Sequence, residues 1–400
     1  MPTHHVRVLR ARNFRSLATL EMPLGSINVV FGPNGVGKSS LLDTIWFMRD
    51  CAVRGVEQAS TFRNHGIGML WVGAAEDEQI EVEIGTALAR YRLSVGLSGG
   101  RIEPRAAETL SSDDSPVPYL VRQSGSDKLA TFNLGTEKTI ASAEVVLREP
   151  ERLGVESYLV LNPGVLAVQS IDHALRATKS FASRGFALNV LKRRGSESSH
   201  ESWLSDRGEN AWSVLRNLRD RERIDTRWGT IRKYMQEAFP TFEDIIFEQT
   251  GPSTVYASFL EKGLRTPIYA SGVSDGHLSL LLLLTAIFGE AKRRGSILLL
   301  DEPDLSLHPW ALAVFAKAVK DAAANWDKQF LIATHSPVLL SQFDVGDCFA
   351  LSKNEHGTRI SRVSTMENMA QILEEYALGS LYMAEAIAPQ HNLTSGADGA

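Results

Sequence analysis

The sequence predicts an α/β fold: a mixed sheet carrying a phosphate-binding loop, an antiparallel β region and an inserted helical lobe. Three observations predict it. Residues 27–42, INVVFGPNGVGKSSLL, pass from a β-branched strand through a glycine-rich loop into an apolar helix. Residues 296–300 (SILLL) and 329–334 (QFLIAT) are continuous apolar strands with a helical stretch at 310–325 between them. That β–α–β succession makes a parallel sheet covered on both faces. Between 54 and 133 the pattern changes to short alternating stretches, IEVEI, YRLSV and YLVR, each flanked by Gly, Ser or Asp, as in an antiparallel meander.

The remaining elements follow in order. Residues 6–13 (VRVLRARN) read as a strand and 18–22 as a second, together an antiparallel edge added to the sheet of the phosphate loop. Residues 111–118 (SSDDSPVP) are a loop, and 136–149 are ambiguous between strand and helix. From 162 to 239 the helical period dominates, with Trp203, Trp212, Leu215, Leu218 and Ile231 as the buried face. Strands return at 244–249 and 255–259, and 278–288 is so apolar that it predicts a helix buried on all sides. The last residues, 391–400 (HNLTSGADGA), read as a disordered tail. The expected organisation is 1–160 and 241–385 as two halves of one head, 161–240 as the helical lobe, and 386–400 as the tail.

Four hundred residues exceed the roughly 250–300 that one core sustains, so a second lobe is expected. Hydrophobic content of 44% and charged content of 22% exclude a fibrous or disordered class. Cys51 and Cys348 give neither a disulfide framework nor metal-ligand spacing. With no apolar signal core and no spanning run, a cytoplasmic protein is expected. Net charge is −5, yet the stretch that begins at Arg176 and ends at Lys233 holds fourteen Lys/Arg against seven Asp/Glu. That asymmetry permits a basic face for double-stranded DNA.

The chemistry starts at Gly32-Pro33-Asn34-Gly35-Val36-Gly37-Lys38-Ser39, a G-x-x-x-x-G-K-S loop in a strand–loop–helix setting. A polyphosphate needs backbone amides wrapped round it, which glycines allow, and the helix N-terminus favours negative charge. Asn34, Gly35, Gly37, Lys38, Ser39 and Ser40 form the nucleotide-binding set. Lys38 is assigned to the β- and γ-phosphates and Ser39 to Mg²⁺, a hard ion that takes oxygen ligands. Asp301 and Glu302 end the strand SILLL at its carboxyl edge, where ligands of open α/β sheets bind. Asp301 would hold the ion and Glu302 orient or deprotonate the attacking water. His335, ending the strand QFLIAT, would donate to the γ-phosphate from the same edge. Residues 271–277 (SGVSDGH), just before the buried helix, make a second anion site, which suggests that another subunit supplies its phosphate.

GPNGVGKS, VSDGH, ILLLDEPDLSLHP and ATHSP, in that order, resemble the ABC-type ATPases of the RecF, SMC and overcoming-lysogenization-defect (OLD) group. The chain looks most like their compact AAA-type ATPases of the RecF-like branch, as NFRSL at 13–17 and LEEYALG at 373–379 also suggest. The resemblance implies a P-loop NTPase with an ABC-type head, using ATP and Mg²⁺. It implies a homodimer with ATP sandwiched between heads, in which Ser274 and Gly276 touch the γ-phosphate in trans and residues 305–308 cross the dimer. The signature departs from the transporter form L-S-G-G-Q, and no glutamine stands out as the lid-loop Mg²⁺ ligand, Gln169 being a candidate only. As 379 lies near the end of the sequence, the C-terminal nuclease domain of the OLD enzymes is not expected here.

The expected function is an ATPase whose ATP-bound dimer clamps DNA or licenses a partner effector such as a nuclease, in genome maintenance or anti-phage defence. A regulatory switch that binds only a protein partner is the alternative. A transporter subunit fits less well, given the insertion and the atypical signature.

Overall fold

The computed structural model describes residues 4–75, 77–134, 140–291 and 295–388. Two compact units arise: Met1–Thr178 with Phe349–Glu367 and Glu385–Ala400, and Lys179–Cys348 with Asn368–Ala384. The tail expected at 386–400 lies outside the described residues from 389 onward.

The first unit is dominated by an eight-stranded antiparallel sheet. Its strands Leu17–Pro23, Val8–Phe14, Ile80–Gly85, Arg90–Val95, Ala107–Ser111, Leu120–Arg122, Lys128–Leu134 and Ile140–Val146 lie side by side in that order. Register explains the alternation. Leu9 faces Met22 and Ile84, and Ala11 faces Leu20 and Val82, so one face is apolar and buried. On the other face the Arg10 guanidinium bridges Glu21 at 2.9 Å and Glu83 at 2.5 Å, and Arg92 meets Glu83 at 2.9 Å. The segment left ambiguous at 136–149 contains the strand Ile140–Val146, while 135–139 are outside the described residues.

One expectation is corrected here. Val8–Phe14 and Leu17–Pro23 do not extend the sheet of the phosphate-loop strand; they form the end of the antiparallel sheet. The physical reason is the burial pattern. Val8–Phe14 buries one face in register with the meander, whereas Ile27–Phe31 is buried at all five positions and needs cover on both faces. Ile27–Phe31 instead lies beside Cys348–Asn354, which makes a hairpin with Gly357–Arg362. Within this unit a wholly buried Glu108 carboxylate is satisfied by Arg122 at 3.1 Å, the Tyr91 hydroxyl at 2.6 Å and the Gly154 amide.

In the second unit Ser296–Asp301 and Lys328–Thr334 pair in parallel, Leu299 opposite Leu331, with the helix Pro309–Asn325 between them in sequence. The strand Thr178–Ala182 flanks Ser296–Asp301 on its other side. The helix Asp275–Phe288 is buried at every position from Leu278 to Phe288, as its composition requires. A smaller antiparallel sheet pairs Phe242–Gln249 with Thr254–Glu261. Residues 162–239 carry the helices Leu166–Arg176, Leu188–Arg193, Ala211–Asp220 and Arg227–Ala238, and in addition the short strands Thr178–Ala182 and Ser196–Glu197. Trp212, Leu215, Leu218 and Ile231 are fully buried as expected. Trp203 is not: it sits off the helices, 40% exposed, with the Lys179 ammonium over its ring. Among the described residues no helix is long and apolar enough to cross a membrane.

Candidate active site

The phosphate loop, in the first unit, joins the buried strand Ile27–Phe31 to the helix Lys38–Arg54. Gly32 sits at φ 150°, and a Cβ there would lie 2.4 Å from the Leu351 carbonyl oxygen, so only glycine lets the loop leave the strand this close to its neighbour. The far side is braced across the whole chain length. Thr358 Oγ1 donates to the Val36 carbonyl at 2.7 Å, and the Thr358 amide donates to Ser16 at 3.0 Å. Ser16 belongs to the NFRSL turn, whose Arg15 guanidinium pairs with Asp43 on the loop's own helix at 2.8 Å.

Lys38 is buried, and its ammonium curls back to donate to the Gly32 and Pro33 carbonyls at 2.9 and 2.8 Å. Asn34, Gly35 and Ser39 are exposed along the rim, Ser40 half-buried beside them. Gly37 occupies the N-cap, no side chain caps the helix, and no acidic residue lies in its first turn. A helix start left without a capping carboxylate or hydroxyl, beside a held ammonium, is chemically suited to a polyphosphate. The Ser39 hydroxyl is an oxygen of the kind Mg²⁺ takes.

The acidic edge lies in the second unit. Asp301 ends its strand in register with Ala333, and the Glu302 amide donates to the Ala333 carbonyl at 2.8 Å. Glu302 adopts φ 50°, a left-handed conformation uncommon outside glycine, which turns its side chain off the strand line. Its Oε1 lies 3.8 Å from His335 Nε2. The next acid, Asp304, accepts from Thr334 Oγ1 at 2.6 Å, and the same hydroxyl accepts from the Ser336 amide at 2.9 Å. Burial raises the Asp304 pKa above the usual carboxylate range; the Thr334 hydrogen bond opposes this, and the Glu302 charge adds to it.

At the signature, Ser274 N-caps the buried helix. Its Oγ accepts from the His277 amide at 3.3 Å and lies 2.7 Å from His277 Nδ1. The His277 ring stacks on Phe239 at 3.5 Å, and burial lowers its pKa. Gly276 is needed for a close approach, since a Cβ there would meet the Ser306 carbonyl at 2.6 Å. The 305–308 loop and the signature therefore touch within one chain. Gln169 lies on the helix Leu166–Arg176 in the first unit and donates to the Pro163 carbonyl.

The structure thus brings Asp301, Glu302 and His335 to one strand edge of the second unit, and Asn34, Gly35, Gly37, Lys38, Ser39 and Ser40 to one loop of the first. Three residues escaped the sequence reading. Thr358 braces the loop from a late hairpin and has no local signature. Asp304 lay inside the DEPDLSLHP stretch but was assigned nothing. Arg184, read only as part of a basic segment, places Nη2 2.6 Å from Glu302 Oε1.

A sequence model of the family described as "AAA domain, putative AbiEii toxin, Type IV TA system" matches residues 27–132 and 173–341, more than half of the chain. Protein ea59 of Escherichia phage lambda is 28% identical over 113 residues, 28% of this chain. The match spans 21% of that relative's length. In fold, the chain is similar to an SMC head crystallised with the C-terminal winged-helix domain of ScpA, with a TM-score of 0.52 at 12% identity, covering 92% of this chain and 99% of that one. It is also similar to an SMC head with an extended coiled coil bound to the C-terminal domain of ScpA, derived from Pyrococcus furiosus. There the TM-score is 0.51 at 12% identity over 93% and 99% of the two chains. The fold is that of an ABC-type P-loop head, as the motif order implied.

Proposed function

This chain belongs to that AAA-domain family, and on that premise we propose that it binds and hydrolyses ATP and works as a dimer whose heads close on the nucleotide. The observation that carries this is the approach of His335 Nε2 to Glu302 Oε1 at the ends of two parallel strands. A carboxylate held there, with an imidazole 3.8 Å away, has the chemistry of a base that takes a proton from water beside a donor for developing phosphate charge.

In this reading the Lys38 ammonium exchanges the Gly32 and Pro33 carbonyls for phosphate oxygens. The Ser39 hydroxyl on the loop and the Asp301 carboxylate on the acidic edge are each an oxygen that would hold Mg²⁺, which would supply neutralisation of phosphate charge. Glu302 orients the water and accepts its proton, and His335 donates to the γ-phosphate. Ser274 and Gly276 act from the second protomer. Hydrolysis alone does no work, so the output is a change of state passed to DNA or an effector.

One observation bears on which. Much of the positive charge of residues 176–233 is spent inside the chain: Arg184 on Glu302, Lys192 on Asp275, Arg219 on Asp244, Arg227 on Asp225 and Arg232 on Glu222. That favours a protein effector over a DNA clamp built on this segment. A family description that names a toxin, and a phage relative, fit the defence branch better than repair.

The test is the solution mass of Glu302→Gln with ATP, with and without double-stranded DNA at about 50 and 200 mM salt. ATP-dependent doubling of the mass supports the sandwiched dimer; a monomer under saturating ATP contradicts it. Salt-sensitive retention of DNA would restore the clamp.

A further inference from the structure

The carboxylate assigned as the base is already engaged. Arg184 Nη2 lies 2.6 Å from Glu302 Oε1, the same oxygen that faces His335. The arginine comes from a separate strand. Thr178–Ala182 runs beside Ser296–Asp301, and the three-residue turn Ser183–Gly185 at its end presents Arg184 over the acidic edge. The turn closes on itself, the Phe186 amide donating to the Ser183 carbonyl at 3.2 Å, and is anchored just beyond its end, where the Ala187 amide donates to the Arg207 carbonyl at 2.9 Å. The Arg184 backbone is therefore placed by the fold, while its side chain remains 59% exposed.

A carboxylate oxygen that accepts from a guanidinium has one lone pair committed, which it cannot offer to a water at the same time. Glu302 is only 21% exposed, so the pair leaves little of its carboxylate open to water. The geometry points to Arg184 as a positioning residue that withholds the Glu302 carboxylate from water until the pair opens, setting a low basal rate of turnover. This rests on the reading of Glu302 as the base. An ion pair this exposed is weak, so the restraint is mild and easily released by whatever closes the heads.

The test is steady-state ATP turnover by the full chain and its Arg184→Ala and Arg184→Gln variants, each also in a Glu302→Gln background. Gln keeps side-chain length without charge, so it separates the pair from packing. Both single variants are expected to raise kcat by about two- to five-fold with KM little changed, the weight of an exposed pair. The gain should vanish in the Glu302→Gln background. Turnover unchanged or reduced in both variants, while Glu302→Gln is inactive, overturns the restraint. Wild-type turnover by Glu302→Gln would instead overturn the reading of Glu302 as the base. An unaltered thermal unfolding midpoint for the Arg184 variants confirms that the fold is intact.

Discussion

The phosphate loop and the acidic edge assemble charge by different means. The loop is a backbone device: a glycine forced against the Leu351 carbonyl, a helix start without a side-chain cap, and an ammonium held by two loop carbonyls. The acidic edge is a side-chain device. Its carboxylates meet Arg184 from one segment and the adjacent Thr334 and His335 from another. A backbone device tolerates little substitution, because the main-chain atoms it presses against cannot swing aside. A side-chain device can be tuned one residue at a time, because each contact is a hydrogen bond or ion pair of modest net worth.

That contrast can be broken by substitution. The largest effect is expected at Gly32→Ala, whose Cβ would sit 2.4 Å from a backbone oxygen that cannot swing aside. A cost of roughly 3 kcal/mol in denaturant unfolding, with loss of ATP binding, is predicted. An unchanged midpoint would mean that the loop is not fixed by its backbone. Next comes Thr334→Val, which keeps shape but removes the donor to Asp304 and the acceptor for the Ser336 amide. About 1–2 kcal/mol should be lost, with turnover reduced and ATP binding retained. Loss of binding equal to that of Gly32→Ala would erase the distinction.

The smallest effect is a slope against pH. Because burial raises the Asp304 pKa, the folded chain keeps a proton that the unfolded chain has released between the unfolded and folded values. Stability attributable to this group therefore falls as pH rises through that window. Asp304→Asn should remove that part of the slope in urea midpoints measured from pH 4 to 7. Identical slopes in the two proteins would show that Asp304 is not held protonated by burial.

How much was legible follows from the same contrast. Gly32 through Ser39 are contiguous, so the loop was readable from spacing alone, as were the apolar strands 296–300 and 329–334 that place Asp301, Glu302 and His335 on one edge. What the reading missed is non-local. Arg184 reaches Glu302 across 118 positions, and a lone arginine in a charge-rich stretch has no pattern to betray it. Thr358 braces Val36 from the far end of the chain. The first two strands were found, but alternation reports which face is buried and not which sheet a strand joins; only their register with Val82 and Ile84 decides that. The helical period puts Trp203 on a buried face, yet it lies off the helices with the Lys179 ammonium over its ring.

If the loop binds and the acidic edge turns over, ATP binding and ATP hydrolysis measured side by side on Lys38→Ala and Glu302→Gln separate the two. Lys38→Ala is expected to lose both, whereas Glu302→Gln binds ATP as the unmodified chain does and hydrolyses it at least about 100-fold more slowly. Turnover by Glu302→Gln at the unmodified rate, or ATP binding by Lys38→Ala at unmodified affinity, would contradict that division.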